Sequence, residues 1–368
     1  MTNELESNLK QEFGWHKLRI QCLVQIVLGL IAVRSVNLKE VACAIASDSH
    51  TDSNYRRLQR FFAEVEFPRH VLAQLISGLL FLPTEGLYLS MDRTNWQWGK
   101  SNINILVLSA CYKGAAIPLY WIALDKKGNS DTKERIRLIN FFIKGFGREK
   151  ILYLLGDREF IGEDWFGYLI KKEIPFDLRV KSNHVTTNSK GLAVDIDGLF
   201  HHLKVGELEV LKGKRKLMKQ VVYLSALRLE DGDLLILASS SEPELALDRY
   251  AFRWEIETLF SCLKGRGFRF ESTRITKLKR VEKMVSVLAI AFAWSHKVGD
   301  WRAEVKPIKI KKHGRLAVSY FRYGLDWIRR GLVGIKPKRS QFEESLKILM
   351  DCWPNIDHSN TFSNLCTN

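Results

Sequence analysis

Apolar residues recur at helical spacing through about the first 80 residues, and the spacing changes to that of strands afterwards. The helical part predicts four helices, at Leu18–Val33, Leu38–Ile45, Tyr55–Phe62 and His70–Leu80. From Glu85 onward, alternating apolar and polar residues broken by glycine-containing turns predict strands instead. We therefore predict an all-helical N-terminal domain at residues 1–82, followed by a domain built on a sheet.

Three strands with short connections come first in that second domain, at Leu87–Asp92, Ile103–Tyr112 and Ile117–Leu124, which predicts an antiparallel meander. The next elements are a helix, a strand, a helix and a strand, at Arg135–Phe146, Ile151–Leu155, Gly162–Lys172 and Pro175–Val180. Three strands followed by helix, strand, helix and strand is the order of the ribonuclease-H-like fold. We predict an α/β catalytic core of that type at residues 83–298.

Short basic strand-like pieces fill the interval from about residue 184 to residue 233, among them Gln220–Arg228. An apolar strand, Leu234–Ser239, follows them, so this interval is predicted to be a β-rich insertion into the core. The chain after Lys264 is mainly helical, and residues 299–368 are predicted to form a basic helical C-terminal region.

A polar stripe marks the segment that precedes this C-terminal part. At about 100° per residue of α-helix, four polar side chains fall within an arc of roughly 60°. They are Tyr250, Arg253, Glu257 and Lys264. Apolar residues, from Phe252 to Leu263, occupy the opposite side, which predicts a helix with one buried face and one polar face. One carboxylate flanked by two cations and a phenol is suited to holding a metal ion beside a phosphate.

Charge supports an anionic partner. The 368 residues are 46% hydrophobic and 27% charged, as in a folded soluble protein, and the formal net charge is +16. Lys264–Lys283 carries eight cations against two acids, and Arg302–Arg339 carries twelve against two. Aromatic residues interleave with cations at Tyr320–Trp327, a pattern that suits nucleic-acid binding, although a solvated basic face has the same composition.

Two aspartates end predicted strands. Asp92 is the last residue of the first strand, and Asp157 follows the apolar strand Ile151–Leu155. Each alone is typical of a strand cap or turn, and an exposed Glu257 with cationic neighbours is common on helices. In a ribonuclease-H-like sheet, however, the first and fourth strands are adjacent and parallel, so the two aspartates would lie side by side and a following helix would bring Glu257 over them.

Three clustered carboxylates repel one another unless divalent cations neutralise them, and Mg²⁺, or Mn²⁺ in its place, is the expected occupant. Two such ions roughly 3.5–4 Å apart can activate a water or a DNA 3′-hydroxyl for in-line attack on a phosphodiester. We therefore predict Asp92, Asp157 and Glu257 as catalytic metal ligands. Tyr250, Arg253 and Lys264 are predicted to bind the phosphates of the DNA strand.

A second DNA contact is predicted in the N-terminal helices. The short helix Leu38–Ala46, the polar turn Ser47–Asn54 and the cationic helix after it loosely resemble a helix-turn-helix. The cations of that last helix are Arg56, Arg57 and Arg60, which we predict to contact DNA. The alternative is a small helical bundle with solvated arginines.

The four residues of the polar stripe stand as Y-x2-R-x3-E-x6-K, which is the signature of the IS4 family of insertion-sequence transposases. The chain resembles that family from about residue 15 to residue 340. MDRTNW at Met91–Trp96 and GDREF at Gly156–Phe160 resemble the two aspartate motifs of the family. The resemblance implies the catalytic triad Asp92, Asp157 and Glu257.

The resemblance further implies a transposase that binds its element's terminal inverted repeats as a homodimer on paired ends, cuts the DNA and joins the 3′ ends to a target. Some relatives pass through a DNA hairpin, with an aromatic residue of the insertion holding a flipped base. No tryptophan lies between Trp165 and Trp254. Phe200 or Tyr223 would have to serve here, or the hairpin step is absent.

Two other functions remain open from the sequence. A ribonuclease-H-like nuclease would cut branched or hybrid nucleic acid without joining it, and a non-catalytic basic DNA-binding protein would bind DNA in the same way with or without metal.

The scattered cysteines lack a C-x-x-C pair, and the start of the chain lacks a signal-peptide pattern. We therefore expect a cytoplasmic protein that does not enter a membrane, and the resemblance implies a bacterial, nucleoid-associated one.

Overall fold

The computed structural model describes residues 2–47, 49–312, 314–334 and 339–353. The chain forms two compact units, one of residues 83–260 and one of residues 1–82 together with 261–368. The N-terminal and C-terminal helices thus share a unit, and the break falls near residue 260. The three-part division at residues 82 and 298 stays a prediction.

The unit of residues 83–260 is built on a nine-stranded mixed sheet. Eleven strands are described in this unit, of which all but β6 and β7 belong to the nine-stranded sheet. They are β1 (Leu87–Trp98), β2 (Ser101–Tyr112), β3 (Ala115–Ala123), β4 (Ile151–Gly156), β5 (Phe176–Val180), β6 (Val185–Thr187), β7 (Ala193–Asp195), β8 (Leu208–Val210), β9 (Arg215–Leu217), β10 (Gln220–Arg228) and β11 (Leu234–Ser239). The sheet order is β3-β2-β1-β4-β5-β11-β10-β8, with β9 paired to β10. Strand β4 runs parallel to β1 and β5, as the sequence order predicts, whereas β2 and β3 are antiparallel to their neighbours.

Helices connect the parallel strands, because parallel neighbours need a crossover. They are α6 (Thr132–Phe146) and α7 (Glu163–Lys171). A capping box sets the start of α6: the Asp131 carboxylate accepts from the backbone N–H of Glu134 at 2.9 Å, and the Glu134 carboxylate accepts from that of Asp131 at 2.7 Å. The buried strand residues that these helices cover account for the long apolar runs in the sequence.

The predicted insertion contains the short strands β6 to β10 and one short helix, α8 (Ile196–Phe200). Strands β6 and β7 form a separate two-stranded sheet. Strand β10 has the bounds that the sequence predicts, pairs antiparallel with β11, and β11 pairs antiparallel with β5. The insertion therefore adds β10 and β8 to the edge of the main sheet.

After β11 the chain forms α9 (Ala246–Ala251) and α10 (Glu255–Leu263). The described helices of the other unit are α1 (Thr2–Phe13), α2 (Lys17–Val33), α3 (Leu38–Cys43), α4 (Thr51–Glu64), α5 (Arg69–Leu79), α11 (Leu278–Val305), α12 (Tyr320–Val333) and α13 (Arg339–Asp351). Helix α11 packs against α2, α5 and α12, and nearly every side chain from Val281 to Trp294 is buried. A helix that is apolar all round must be buried on all sides, so α11 forms the centre of this unit.

Two glycines allow α11 and α12 to touch through their backbones. A Cβ added at Gly299 would lie 1.8 Å from the carbonyl oxygen of Tyr320. One added at Gly324 would lie 1.9 Å from the carbonyl oxygen of Ser295. Backbone atoms of packed helices cannot move aside as a flexible side chain can, so only glycine fits at these two positions.

Of the aromatic residues interleaved with cations at Tyr320–Trp327, Phe321 is used for packing, whereas Tyr320, Tyr323 and Trp327 are partly exposed. Phe321 is fully buried and stacks on Phe292 at a ring-centroid distance of 4.9 Å. The Arg302 guanidinium lies 3.4 Å from the Trp327 ring centroid.

Within the described residues no single helix is long and apolar enough to span a membrane. The pair Asn3–Phe13 and Lys17–Val33 meets that criterion of length and composition jointly, but the two helices are bent by 117° at the break between them.

Candidate active site

Asp92 lies within a strand and not at the end of one. Strand β1 continues six residues beyond it to Trp98, because β1 and β2 form a long hairpin in which Asp92 pairs with Val107. The sequence prediction of a strand end at Asp92 is therefore wrong. The parallel neighbour β4 does end at this level, since Met91 pairs with Gly156. Asp92 thus lies beside the carboxyl end of β4.

Asp157 is the first residue after β4 and lies next to Asp92. Its Oδ1 accepts a hydrogen bond of 2.9 Å from the backbone N–H of Glu159, which holds the turn. Burial raises the pKa of Asp92 to about 7, the backbone N–H of Arg93 lowers it, and the Asp157 charge raises it further. The two predicted aspartates therefore interact electrostatically across neighbouring strands.

An ion pair that sequence reasoning missed joins the two aspartate motifs. Arg93, directly after Asp92, contacts Glu159 at 3.0 Å, and both side chains are largely buried. Glu159 also accepts from the backbone and hydroxyl of Ser130 at 2.9 and 3.0 Å. Burial raises the pKa of Glu159, but the bonds from Arg93 and Ser130 outweigh it and leave that pKa below its usual value. The signal was present in the sequence as the residues flanking the motifs, MDR and GDRE.

The polar-stripe segment is helical, but it is not one regular helix. A 3₁₀ turn, Phe252–Trp254, separates α9 from α10. Tyr250, expected on the polar face, is only 2% exposed and packs against Leu237, and burial raises its pKa to about 12. Phe252, expected on the buried face, is 42% exposed. Ile256, Leu259 and Leu263 are buried as predicted.

Arg253 connects two members of the predicted triad, Asp92 and Glu257. Its side chain is only 7% exposed, and its Nη1 lies 3.3 Å from Asp92 Oδ2. Its Nη2 donates to Glu257 Oε1 in an ion pair. One guanidinium therefore spans the carboxylates of Asp92 and Glu257 and supplies positive charge between them. The structure thus brings Asp92, Asp157, Arg253 and Glu257 into one connected group.

Buried contacts fix this helical segment on the sheet. Arg249 of α9 donates to Asp177 of β5 through Nε at 2.6 Å and Nη2 at 3.2 Å, a bidentate pair in which Asp177 is fully buried. The same guanidinium lies 3.6 Å from the Tyr153 ring centroid. At the start of α10, Glu255 accepts from the backbone N–H of Gly114 at 2.8 Å. These contacts hold Arg253 and Glu257 over β1.

The remaining predicted DNA-binding residues lie in the unit of residues 1–82 and 261–368, called the helical unit below. Lys264 contacts Glu271 at 2.7 Å there. Arg56 and Arg60 are exposed on α4, whereas Arg57 is half-buried and donates to the side chain of Gln25. Arg57 is therefore partly used in packing, and the contact of Arg56 and Arg60 with DNA stays a prediction.

Comparison with known proteins gives the class of this site. Residues 82–294 match the family model described as "Transposase DDE domain", which covers more than half of the chain. The chain belongs to the DDE transposases. A solved structure of a piggyBac transposase synaptic complex with hairpin DNA resembles this transposase at a TM-score of 0.47 and 12% sequence identity, covering 93% of this chain and 77% of that chain. At that level of similarity no argument follows from it. No curated protein matches the sequence significantly.

The carboxylates of this DDE transposase suit a hard divalent cation in kind, since oxygen is the ligand that such ions prefer. Among the described residues, no group of three or more histidine, cysteine, aspartate or glutamate side chains is arranged to hold a metal ion. At this site the Glu257 carboxylate is paired with Arg253. Asp92 and Asp157 are neighbouring carboxylates, the kind of group that such an ion binds.

The two aromatic residues of the insertion that the sequence offered for holding a base differ in exposure. Phe200 is fully buried and cannot stack on a nucleotide, which leaves Tyr223 or the absence of a hairpin step. Tyr223 is half-buried, and Lys214 Nζ lies 5.2 Å from its ring centroid. Only Tyr223 of this pair is accessible in the transposase.

Proposed function

We propose that this DDE transposase is of the IS4 kind, binds the terminal inverted repeats of an insertion sequence, and cuts and joins DNA at a ribonuclease-H-like core. One observation carries the proposal: Asp92 and Asp157 lie on adjacent parallel strands, and Glu257 is linked to Asp92 through Arg253. The strand order β3-β2-β1-β4-β5 supports the assignment of the core.

Asp92, Asp157 and Glu257 are the proposed ligands of Mg²⁺, or Mn²⁺ in its place. When bound there, the divalent cation would supply Lewis-acid stabilisation of a phosphoryl oxygen and a water of lowered pKa. Asp92 and Asp157 supply the anionic pair, and Arg253 serves as counter-ion to Asp92 and Glu257 without metal. Once released from Glu257, the Arg253 guanidinium is free to donate to a DNA phosphate.

DNA contacts in the proposal come from both compact units. Lys264, Arg56 and Arg60 contact phosphates, with a minor part for the half-buried Arg57. Tyr250 acts differently from the sequence prediction, because its ring is buried and can only support Arg253, whose guanidinium carbon lies 6.0 Å from the ring centroid. The protein works as a homodimer on paired element ends in the bacterial cytoplasm, associated with the nucleoid.

A cleavage assay tests the catalytic assignment. The variants Asp92→Asn, Asp157→Asn and Glu257→Gln, each incubated with Mg²⁺ and DNA carrying the element ends, should bind the DNA and leave it uncut. Asp248→Asn is the matched control, because Asp248 is an exposed carboxylate on α9 outside the site, and it should cut normally. Undiminished cutting by the three variants would overturn the assignment. Cutting without any joined product would favour the nuclease alternative, and metal-independent binding alone would favour a non-catalytic DNA-binding protein.

A further inference from the structure

The helical unit contains a basic cavity that the proposed catalytic site does not use. It has a volume of about 220 Å³ and lies among the start of α3, one face of α4 and the start of α11. Tyr55, Gln59 and Phe62 line it from α4, at a spacing that places them on one face of that helix. This is a different set of α4 residues from the arginines predicted to contact DNA.

Four cations line the cavity: Lys39, Arg274, Lys277 and Arg280. No acidic residue is present among the described residues that line it. Arg274 and Lys277 are exposed and Arg280 is half-buried, and none of these three takes part in an ion pair described in the structure. Concentrated positive charge without carboxylates favours an anionic ligand.

Backbone donors add to this charge. Helix α11 is 28 residues long and begins here, with Lys277 as its N-cap residue. No side chain caps that end, and its first turn contains no acidic residue. The N–H groups of a first helical turn have no partner within the helix and, with the helix dipole, favour an anion. An oxyanion in the cavity would therefore meet both side-chain and backbone donors.

Another part of the cavity lining is aromatic and apolar. Phe62 is buried behind the cavity, and Tyr55 is half-exposed, with Lys39 Nζ 5.8 Å from its ring centroid. A free inorganic anion makes no favourable contact with aromatic side chains. A phosphate linked to a sugar and a base is better suited, because the sugar or base can pack on an aromatic face while the phosphate contacts the cations.

We propose that this cavity binds one phosphodiester of a DNA strand, with Lys277 and Arg280 on the phosphate oxygens and Tyr55 against the adjoining sugar or base. This assignment rests on the proposed DNA-binding function and adds a specific anchor in the helical unit. Arg274, Lys277 and Arg280 lie in the basic block Lys264–Lys283, but no residue of the cavity is among the individually predicted DNA contacts.

A charge-matched pair of variants tests the proposal. Lys277→Gln/Arg280→Gln removes one lysine and one arginine from the cavity, and Lys17→Gln/Arg19→Gln removes the same charge from the exposed start of α2. Binding of a fluorescein-labelled duplex is measured by anisotropy over a series of NaCl concentrations. We expect the cavity variant to bind about tenfold more weakly and its log Kd against log [salt] slope to fall by about 1 to 2. Equal behaviour of the two double variants overturns the proposal.

A footprint on the unaltered protein gives a second measurement. Acylation of lysines, read by mass spectrometry, should be suppressed by the duplex at Lys277 and Lys39 and not at Lys17. Full reactivity of Lys277 in the DNA complex overturns the proposal. Inorganic phosphate, added at constant ionic strength, should protect Lys277 far less than DNA, and equal protection by phosphate alone would make this a free-anion site instead.

The parallel cleavage assay separates this inference from the proposed function. DNA that is bound with Lys277 protected but never cut in Mg²⁺ upholds the cavity and overturns the transposase chemistry. DNA that is cut normally while Lys277 stays reactive upholds the chemistry and overturns the cavity.

Discussion

Replacing Asp92 with asparagine should stabilise the metal-free protein at pH 8. Burial, offset in part by the Arg93 backbone N–H and reinforced by Asp157, raises the pKa of Asp92 from 3.8 to about 7. At 1.36 kcal/mol per pH unit, keeping this carboxylate ionised costs the folded state about 4 kcal/mol. Asparagine keeps the shape and one acceptor oxygen without the charge. We therefore expect Asp92→Asn to raise the free energy of unfolding by about 2 to 4 kcal/mol in EDTA.

The same pKa sets the pH dependence of this difference. The folded protein binds the Asp92 proton more tightly than the unfolded chain does. The stability that this bound proton contributes is therefore fully present below about pH 4 and is lost as the pH rises through about 7. The gap between Asp92→Asn and the unaltered protein should be widest above pH 7 and should close toward pH 4.

Urea unfolding followed by circular dichroism, with EDTA present and at several pH values, measures the gap directly. Asp248→Asn serves as control and should differ little from the unaltered protein at any pH. Adding Mg²⁺ should stabilise the unaltered protein, because a ligand bound only to the folded state does so, and should do little for Asp92→Asn. A less stable Asp92→Asn variant at pH 8 in EDTA, or a gap that does not change with pH, would refute the reasoning.

Three further predictions concern contacts around the site and the helical core. Gly299→Ala should lower the free energy of unfolding by about 3 kcal/mol or more, since its Cβ would meet backbone; a loss below about 1 kcal/mol in thermal unfolding would contradict this. Arg93→Gln and Glu159→Gln should each lower the free energy of unfolding by about 3 kcal/mol, because each leaves a largely buried partner charge unpaired. The double variant should lose much less than the sum of the two single losses in urea unfolding. Additive losses would show that the two side chains are not coupled. Arg253→Gln should lower the Tm in EDTA at pH 8 and enlarge the rise in Tm on adding Mg²⁺, because two carboxylates lose their shared cation; an unchanged response to Mg²⁺ would count against that role.

Strong periodicity made much of the fold predictable from the sequence. Strands β2, β4, β5 and β10 lie close to their predicted positions because continuous apolar runs between turn residues are specific signals. The end of β1 was missed because Arg93–Asn95 is polar and resembles a turn, whereas the strand continues as a hairpin partner of β2. The packing of α11 with the N-terminal helices was not predictable either, since a helix that is apolar all round does not indicate which element it contacts.

The site was predictable in its members and less so in its arrangement. The adjacency of Asp92 and Asp157 followed from strand order, and the structure has it. The burial of Tyr250 did not follow, because a regular α-helix was assumed through the 3₁₀ turn at Phe252–Trp254. That turn advances about 120° per residue in place of about 100°, which changes the faces on its two sides. The Arg253 bridge depends on this change and on distant strands, so no local pattern showed it.

The hydrogen-bonded continuity from β5 through β11 and β10 to β8 limits how the insertion can be exchanged between relatives. A chimera that kept Val180 and Leu234 but received an unrelated segment between them would expose β11 as an open edge, where another chain could pair and begin aggregation. A donor segment must therefore bring its own strand to occupy the place of β10. Residues added beside β8, the last strand of the sheet, would leave β1 and β4, next to which the two aspartates lie, undisturbed.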